Sequence, residues 1–407
     1  MRLITFFLLL MVVNTISAQA VFQEFNRFNS PVPDNTCRAI AVDHLGRKWF
    51  GTEYGLAVYN DTSWTVYTTL SSGISDNSIK HITFDSQHRA WISTQNGGVA
   101  IFDGNNWSSL TTQNSGISSN FVKSVTIDRF DHAWICTNLG LNYFDGTSWM
   151  VYDMSTTRLP VDNIAVITIE NDSLRWIGTI NGGFVKMEDT AFTVYNIPIA
   201  NFPDNTITGI VIDSSNIKWS ACPAGALVRF YNGSIFAYNT GSSLIPSNSL
   251  TTLVIDSLQN FYIGSYDKGL IKKSGNIFTH WDTQNSGMTD DLIYAVAVER
   301  SGVIWCGTET HGVVRFDENM LTAVDDINER FSFDLWPNPG NDHAALHFKS
   351  NADRKIKVID LFGNCVLEKT STTAELYLDY TGLNSGLYLL QIEAPDGIAT
   401  RRIQVVH

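Results

Sequence analysis

The chain has 407 residues, of which 44% are hydrophobic, 12% aromatic and 16% charged, and its formal net charge is -13. That much apolar material exceeds what one small domain needs, and all-β units can run well past 200 residues. The acidic balance repels phosphate backbones and anionic lipid surfaces, so neither nucleic acid nor a membrane surface is an expected partner.

The chain opens on Arg2 and an apolar run from Leu3 to Val13, followed by small residues at Ser17, Ala18 and Ala20. This pattern predicts a signal peptide over residues 1–20, too short to span a bilayer, and no later stretch is apolar enough to be a membrane-spanning segment. Export through the periplasm follows. The five cysteines (Cys37, Cys136, Cys222, Cys306, Cys365) stand singly, which fits small buried hydrophobes better than a disulfide framework or a metal site.

From there an internal repeat governs the chain. An acid recurs at Asp43, Asp85, Asp128, Glu170, Asp213, Asp256 and Glu299, spaced by 42 or 43 residues. Six positions after each stands Trp49, Trp91, Trp134, Trp176, Trp219, Tyr262 or Trp305. An Asn or Asp opens each unit, at Asn35, Asn77, Asn120, Asn163, Asn205, Asn248 and Asp291. Within a unit, short alternating runs such as Ala39–Val42, Lys48–Thr52, Leu56–Tyr59 and Trp64–Tyr67 lie between turn residues, giving four strands per repeat. Seven such units predict an all-β, seven-bladed β-propeller over residues 21–317. The aromatics, including Trp64, Trp107 and Trp149 on the fourth strand with Phe192, Phe236 and Phe278 in their place elsewhere, are expected to pack between blades. The repeated acids are expected to build turns.

The last unit lacks a good fourth strand. Phe22, Phe25, Asn26, Pro33, Asp34 and Asn35 match Phe192, Tyr195, Asn196, Pro203, Asp204 and Asn205 in spacing, so the N-terminal segment is predicted to close the final blade, with Leu321–Val324 as a competitor. Units such as Asn120 to Trp149 resemble the two-component regulator propeller repeat. In that family the repeats often form extracytoplasmic sensor regions that respond to glycans, so the resemblance implies an extracellular glycan-like ligand.

Residues 318–330 are polar and acidic and read as a linker. After it, runs at 355–364, 376–379, 383–392 and 401–406 predict a small Ig-like β-sandwich over residues 331–407. The succession of Pro337-Asn338-Pro339, Asp360-Leu361-Phe362-Gly363-Asn364 and Leu383-Asn384-Ser385-Gly386-Leu387-Tyr388, with a final basic and β-branched strand, resembles the C-terminal sorting domain of the Bacteroidetes type IX secretion system. That resemblance implies the secretion machinery and its sorting peptidase as partners, and secretion or attachment at the outer-membrane surface.

Catalytic motifs do not stand out from the repeat, and no cofactor or metal is expected. His44, His88 and His132 fall in equivalent turns, but neighbouring blades are expected to hold these many ångströms apart. The candidate site is instead the channel mouth. Arg38, Lys80 and Lys123 stand five residues before their acids, in one column with Ala165, Thr208, Thr251 and Tyr294. The turn tips add Tyr54, Asn96, Asn181, Tyr266, Asp267, Lys268 and His311, a surface suited to a polyhydroxylated or acidic ligand. The sequence thus reads as a non-catalytic binding or adhesion protein, with a propeller-based polysaccharide lyase or hydrolase as the alternative.

Overall fold

The computed structural model describes residues 22–318 apart from 201, and 333–406 apart from 337, 339–341, 361–363 and 396. The first region is seven four-stranded antiparallel sheets. Blade 1 comprises Cys37–Val42, Lys48–Thr52, Leu56–Tyr59 and Trp64–Tyr67, ordered from inside to outside, and blades 2 to 6 repeat it. Blade 7 is composite: Ile293–Val298, Ile304–Thr308 and Val313–Phe316 are completed by Phe22–Phe25, with Phe22 opposite Phe316 and Phe25 opposite Val313. The N-terminal segment therefore closes the ring, as its spacing predicted. Leu321–Val324 lies outside the described residues.

The acid and its tryptophan form one device. Asp43 Oδ1 accepts the backbone N–H groups of Leu45 and Arg47, each at 2.9 Å, and its Oδ2 accepts the Trp49 indole N–H at 3.0 Å. The same indole bond recurs at Asp85–Trp91 (2.8 Å), Glu170–Trp176 (2.6 Å) and Asp213–Trp219 (2.9 Å). One carboxylate thus folds the turn and satisfies a buried donor six residues on. In blade 6, where Tyr262 replaces Trp, Asp256 Oδ2 takes the Asn260 amide instead, at 2.8 Å.

Seven apolar clusters fill the seven gaps between blades. Trp49 of blade 1 packs with Ile79, Ile82 and Ile92 of blade 2, and so on to Trp305 of blade 7, which meets Cys37 and Phe50 of blade 1. Two residues past the repeated aromatic, four blades carry glycine. A Cβ on Gly307 would lie 2.5 Å from the Cys37 carbonyl oxygen, and one on Gly51 would lie 2.4 Å from Ile79, so the next blade's innermost strand packs directly on the glycine. A threonine or serine hydroxyl then staples the following turn, as Thr52 Oγ1 does to the Gly55 carbonyl at 2.7 Å.

Two repeat positions need correction by one residue. In blade 4 the opening residue is Asp162, not Asn163. Asp162 Oδ1 accepts the Met154 N–H at 2.7 Å, as Asn77 does for Thr69 and Asn120 for Thr112, each at 2.8 Å. In blade 5, Phe230 pairs with Ile235, so Ile235 takes the slot of Trp64 and Phe236 is turned outward, 50% exposed. Side chains alternate along a strand, so a one-residue slip exchanges core for solvent.

The second region is a sandwich of two sheets. Phe333–Trp336, His343–Phe348 and Glu375–Asp379 form one, and Cys365–Ser371, Arg354–Ile359, Gly386–Ala394 and Gly397–Val405 the other. Leu346, Phe348 and Leu378 of the first pack against Ile356, Val358, Leu390 and Ile403 of the second.

Candidate functional site

The innermost strands converge on a central cavity of about 630 Å³. The way they present side chains to it is set by a repeated irregularity. In blade 1 the ladder pairs Cys37 with Thr52 and Ala39 with Gly51, leaving Arg38 as an extra residue. The same slip leaves Lys80, Lys123, Ala165, Thr251 and Tyr294 unpaired in their blades. A bulge re-aims a side chain locally. All six of these residues, with Thr208 in blade 5, line the cavity. The column read from the sequence is thus one ring of positions around a single opening.

The three basic residues of that ring have unlike surroundings. Arg38 Nε and Ser78 Oγ donate to the Glu53 carboxylate, and Lys80 Nζ reaches it at 3.0 Å. Burial pushes the Glu53 carboxyl up, but Ser78, Arg38 and Lys80 outweigh it and hold the group down at about 2. The Arg38 guanidinium also lies 4.0 Å from the Tyr294 ring centre, and Tyr294 Oη donates to Glu309 at 3.1 Å. Lys123 makes no ion pair among the described residues; its ammonium donates to Asn163 Oδ1. Burial pulls it down to about 8.

The turn-tip residues do not join this wall. Tyr54 is 67% exposed. The Asn96 N–H is held by Asp76 Oδ2 at 2.7 Å. Asn181, at φ +69°, accepts from Thr206 Oγ1 at 3.2 Å. Tyr266 is exposed, Asp267 accepts from Ser247 Oγ at 2.5 Å, Lys268 lies 3.8 Å from Asp282, and His311 Nδ1 lies 2.8 Å from Thr310 Oγ1. None of them lines the cavity.

Sequence reasoning missed Glu53 and Asn163. Glu53 had a signal: with Glu309 it puts two acids in one turn column that elsewhere reads Gln95, Asn138, Ile180, Pro223 and Tyr266. Asn163 was assigned to the wrong column, which hid its place beside Lys123. The spacing of the histidine turns also needs correction. The His44 and His88 rings stack with centres 3.6 Å apart, because the turns that end the innermost strands lie close to the axis and touch. His132 turns away, with Nδ1 2.9 Å from Tyr143 Oη.

Residues 334–406 match the family model of the secretion system C-terminal sorting domain. No curated protein matches the chain. Among solved structures, it is similar to the extracellular domain of a hybrid two-component system from B. thetaiotaomicron, at 17% identity and TM-score 0.65, covering 95% of this chain and 57% of that one. It is also similar to PorZ, a surface component of the type-IX secretion system of Porphyromonas gingivalis, at 13% identity and TM-score 0.58, covering 92% of this chain and 60% of that one. Virginiamycin B lyase from Staphylococcus aureus aligns at 16% identity and TM-score 0.56, over 72% of this chain and 98% of that one. The chain thus spans about three-fifths of the length of the first two, and at these identities the likeness shows the fold. The chain is a seven-bladed β-propeller that ends in a secretion-system C-terminal sorting domain, and is exported to the cell surface or secreted.

Proposed function

We propose that the propeller is a non-catalytic binding module that holds an extracellular glycan-like ligand at the mouth of its channel. The observation that carries this reading is the bulge repeated at one position in six blades, which turns chemically different side chains into one cavity while the frame around them repeats. A cavity of about 630 Å³ is in the size range of small-molecule sites. Its wall carries Arg38 and Lys80, both bonded to the Glu53 carboxylate, and the hydroxyl-bearing Tyr294, Thr251 and Thr208. Paired charges and hydroxyls of this kind match the hydroxyl groups of a sugar. The reading also agrees with a sorting domain that delivers the chain to the outside.

The alternative, a polysaccharide lyase or hydrolase, draws on the lyase fold neighbour, whose histidine-to-alanine variant is inactive. In this chain the histidine of the cavity wall is His81, which burial pushes down to about 4 and which packs against the Val125 N–H at 3.5 Å. That is a structural placement rather than that of a proton-transferring group.

The test is a glycan-array screen of the propeller followed by calorimetry on the best neutral and acidic oligosaccharides. Saturable binding that Ala165→Trp abolishes by filling the cavity is the expected result. Binding that survives the plug would place the ligand elsewhere, and new reducing ends in the incubated glycan would overturn the non-catalytic assignment.

A further inference from the structure

The three cations of the channel mouth divide into two that share one carboxylate and one that is bonded to none among the described residues. Glu53 takes both Arg38 and Lys80, so that corner keeps one net positive charge spread over two cations whose donors already point at a carboxylate. Lys123, on the innermost strand of blade 3, is held among the described residues only by the neutral amide of Asn163 from blade 4, with the Phe121 ring centre 5.8 Å from its Nζ. The groups around it add no negative charge. His81 from blade 2 is kept neutral by burial, Cys136 on its own blade is a buried thiol pushed up to about 12, and Lys80 is committed to Glu53. A half-buried cation without a counter-charge is unfavourable, and proteins keep such groups at sites where a ligand supplies the missing charge.

We propose that Lys123 is the anion-binding point of the channel and that the ligand is a sugar bearing a single negative charge, of the hexuronate type, with its carboxylate on the Lys123 ammonium and its hydroxyls toward the Arg38–Glu53–Lys80 group. This rests on the channel mouth being the glycan site. The Lys123 ammonium matches one carboxylate, and the remaining ring positions, Ala165, Thr208, Thr251 and Tyr294, add no further cation. The sequence column suggested three equivalent basic contacts; the structure makes Lys123 the one that sets specificity.

The experiment is calorimetric titration of the full chain with two probes, D-galacturonate and D-galactose, at pH 8 in two buffers of different ionisation enthalpy. Galacturonate is expected to bind about ten-fold or more tightly, the worth of one charge-assisted contact. Its binding should also take up a fraction of a proton, since the free ammonium is only part-protonated at that pH. Lys123→Gln should make the two probes equal and abolish the proton uptake. Lys123→Arg should restore the preference but not the uptake, because an arginine does not titrate there. A preference that persists in Lys123→Gln overturns the assignment, as does equal binding of both probes to the native chain, which would leave the glycan site itself standing. If neither probe binds, both this inference and the site reading fall.

Discussion

Ring closure can be tested through the two aromatic residues of the N-terminal strand. Phe22 stacks on Phe316 with ring centres 4.6 Å apart. Phe25 sits among Tyr59, Trp64 and Trp305 at 5.6 to 5.7 Å, where blade 7 meets blade 1. Replacing a fully buried Phe by Ala costs about 3–5 kcal/mol. Both rings are part-buried, so about half that, or about 2 kcal/mol each, is expected. They belong to different clusters and their effects should add, giving about 4 kcal/mol for Phe22→Ala/Phe25→Ala. For a domain of this size about 2 °C is lost per kcal/mol, so Tm should fall by about 8 °C in a single transition. Phe28→Ala is the control: Phe28 is 81% exposed and its loss should leave Tm within about 1 °C. Thermal unfolding followed by tryptophan fluorescence reads both. A double variant within about 2 °C of the native chain would refute the closing role of this strand.

The remaining predictions address the site and the export. The Glu53 carboxyl is depressed in the fold, so its stabilising contribution is complete above about pH 4.5 and is lost as the pH falls toward 2; Glu53→Gln should therefore flatten the acid limb of a Tm-against-pH curve, and an unchanged limb would contradict the pairing. The same variant frees Arg38 and Lys80 and should strengthen binding of galacturonate relative to galactose in calorimetry. Galacturonate affinity of the native chain should fall toward that of galactose as the pH rises through about 8, by about ten-fold from pH 6.5 to 9.5, because Lys123 loses its charge over that window. Asp85→Ala removes the acceptor of the Trp91 indole and of two turn N–H groups and should cost about 2–4 kcal/mol by urea unfolding. Deleting residues 330–407 should leave a folded propeller in the periplasm, by fractionation and immunoblot.

The repeat was legible in the chain alone because its determinants are local or periodic. An acid folds its own turn, a tryptophan six residues on needs its indole bonded, and alternation marks four strands, so blade number, ring closure and the sandwich could be read without coordinates. The places where reading failed have one physical origin. Side-chain direction depends on register, and register is decided by pairing with the next strand. Thus Asn163 and Phe236 were each one position out, although their sequence surroundings looked regular. Contacts between blades were also hidden, since partners such as Glu53 with Lys80, or His44 with His88, are separated by most of a repeat or more and meet only where the innermost strands crowd the axis. The sequence by itself determined that Arg38, Lys80 and Lys123 occupy one column. Only the tertiary structure decided that Glu53 is shared by the first two and that Lys123 is bonded to a neutral amide instead, because charge pairing depends on distance across the ring and not on position along the chain.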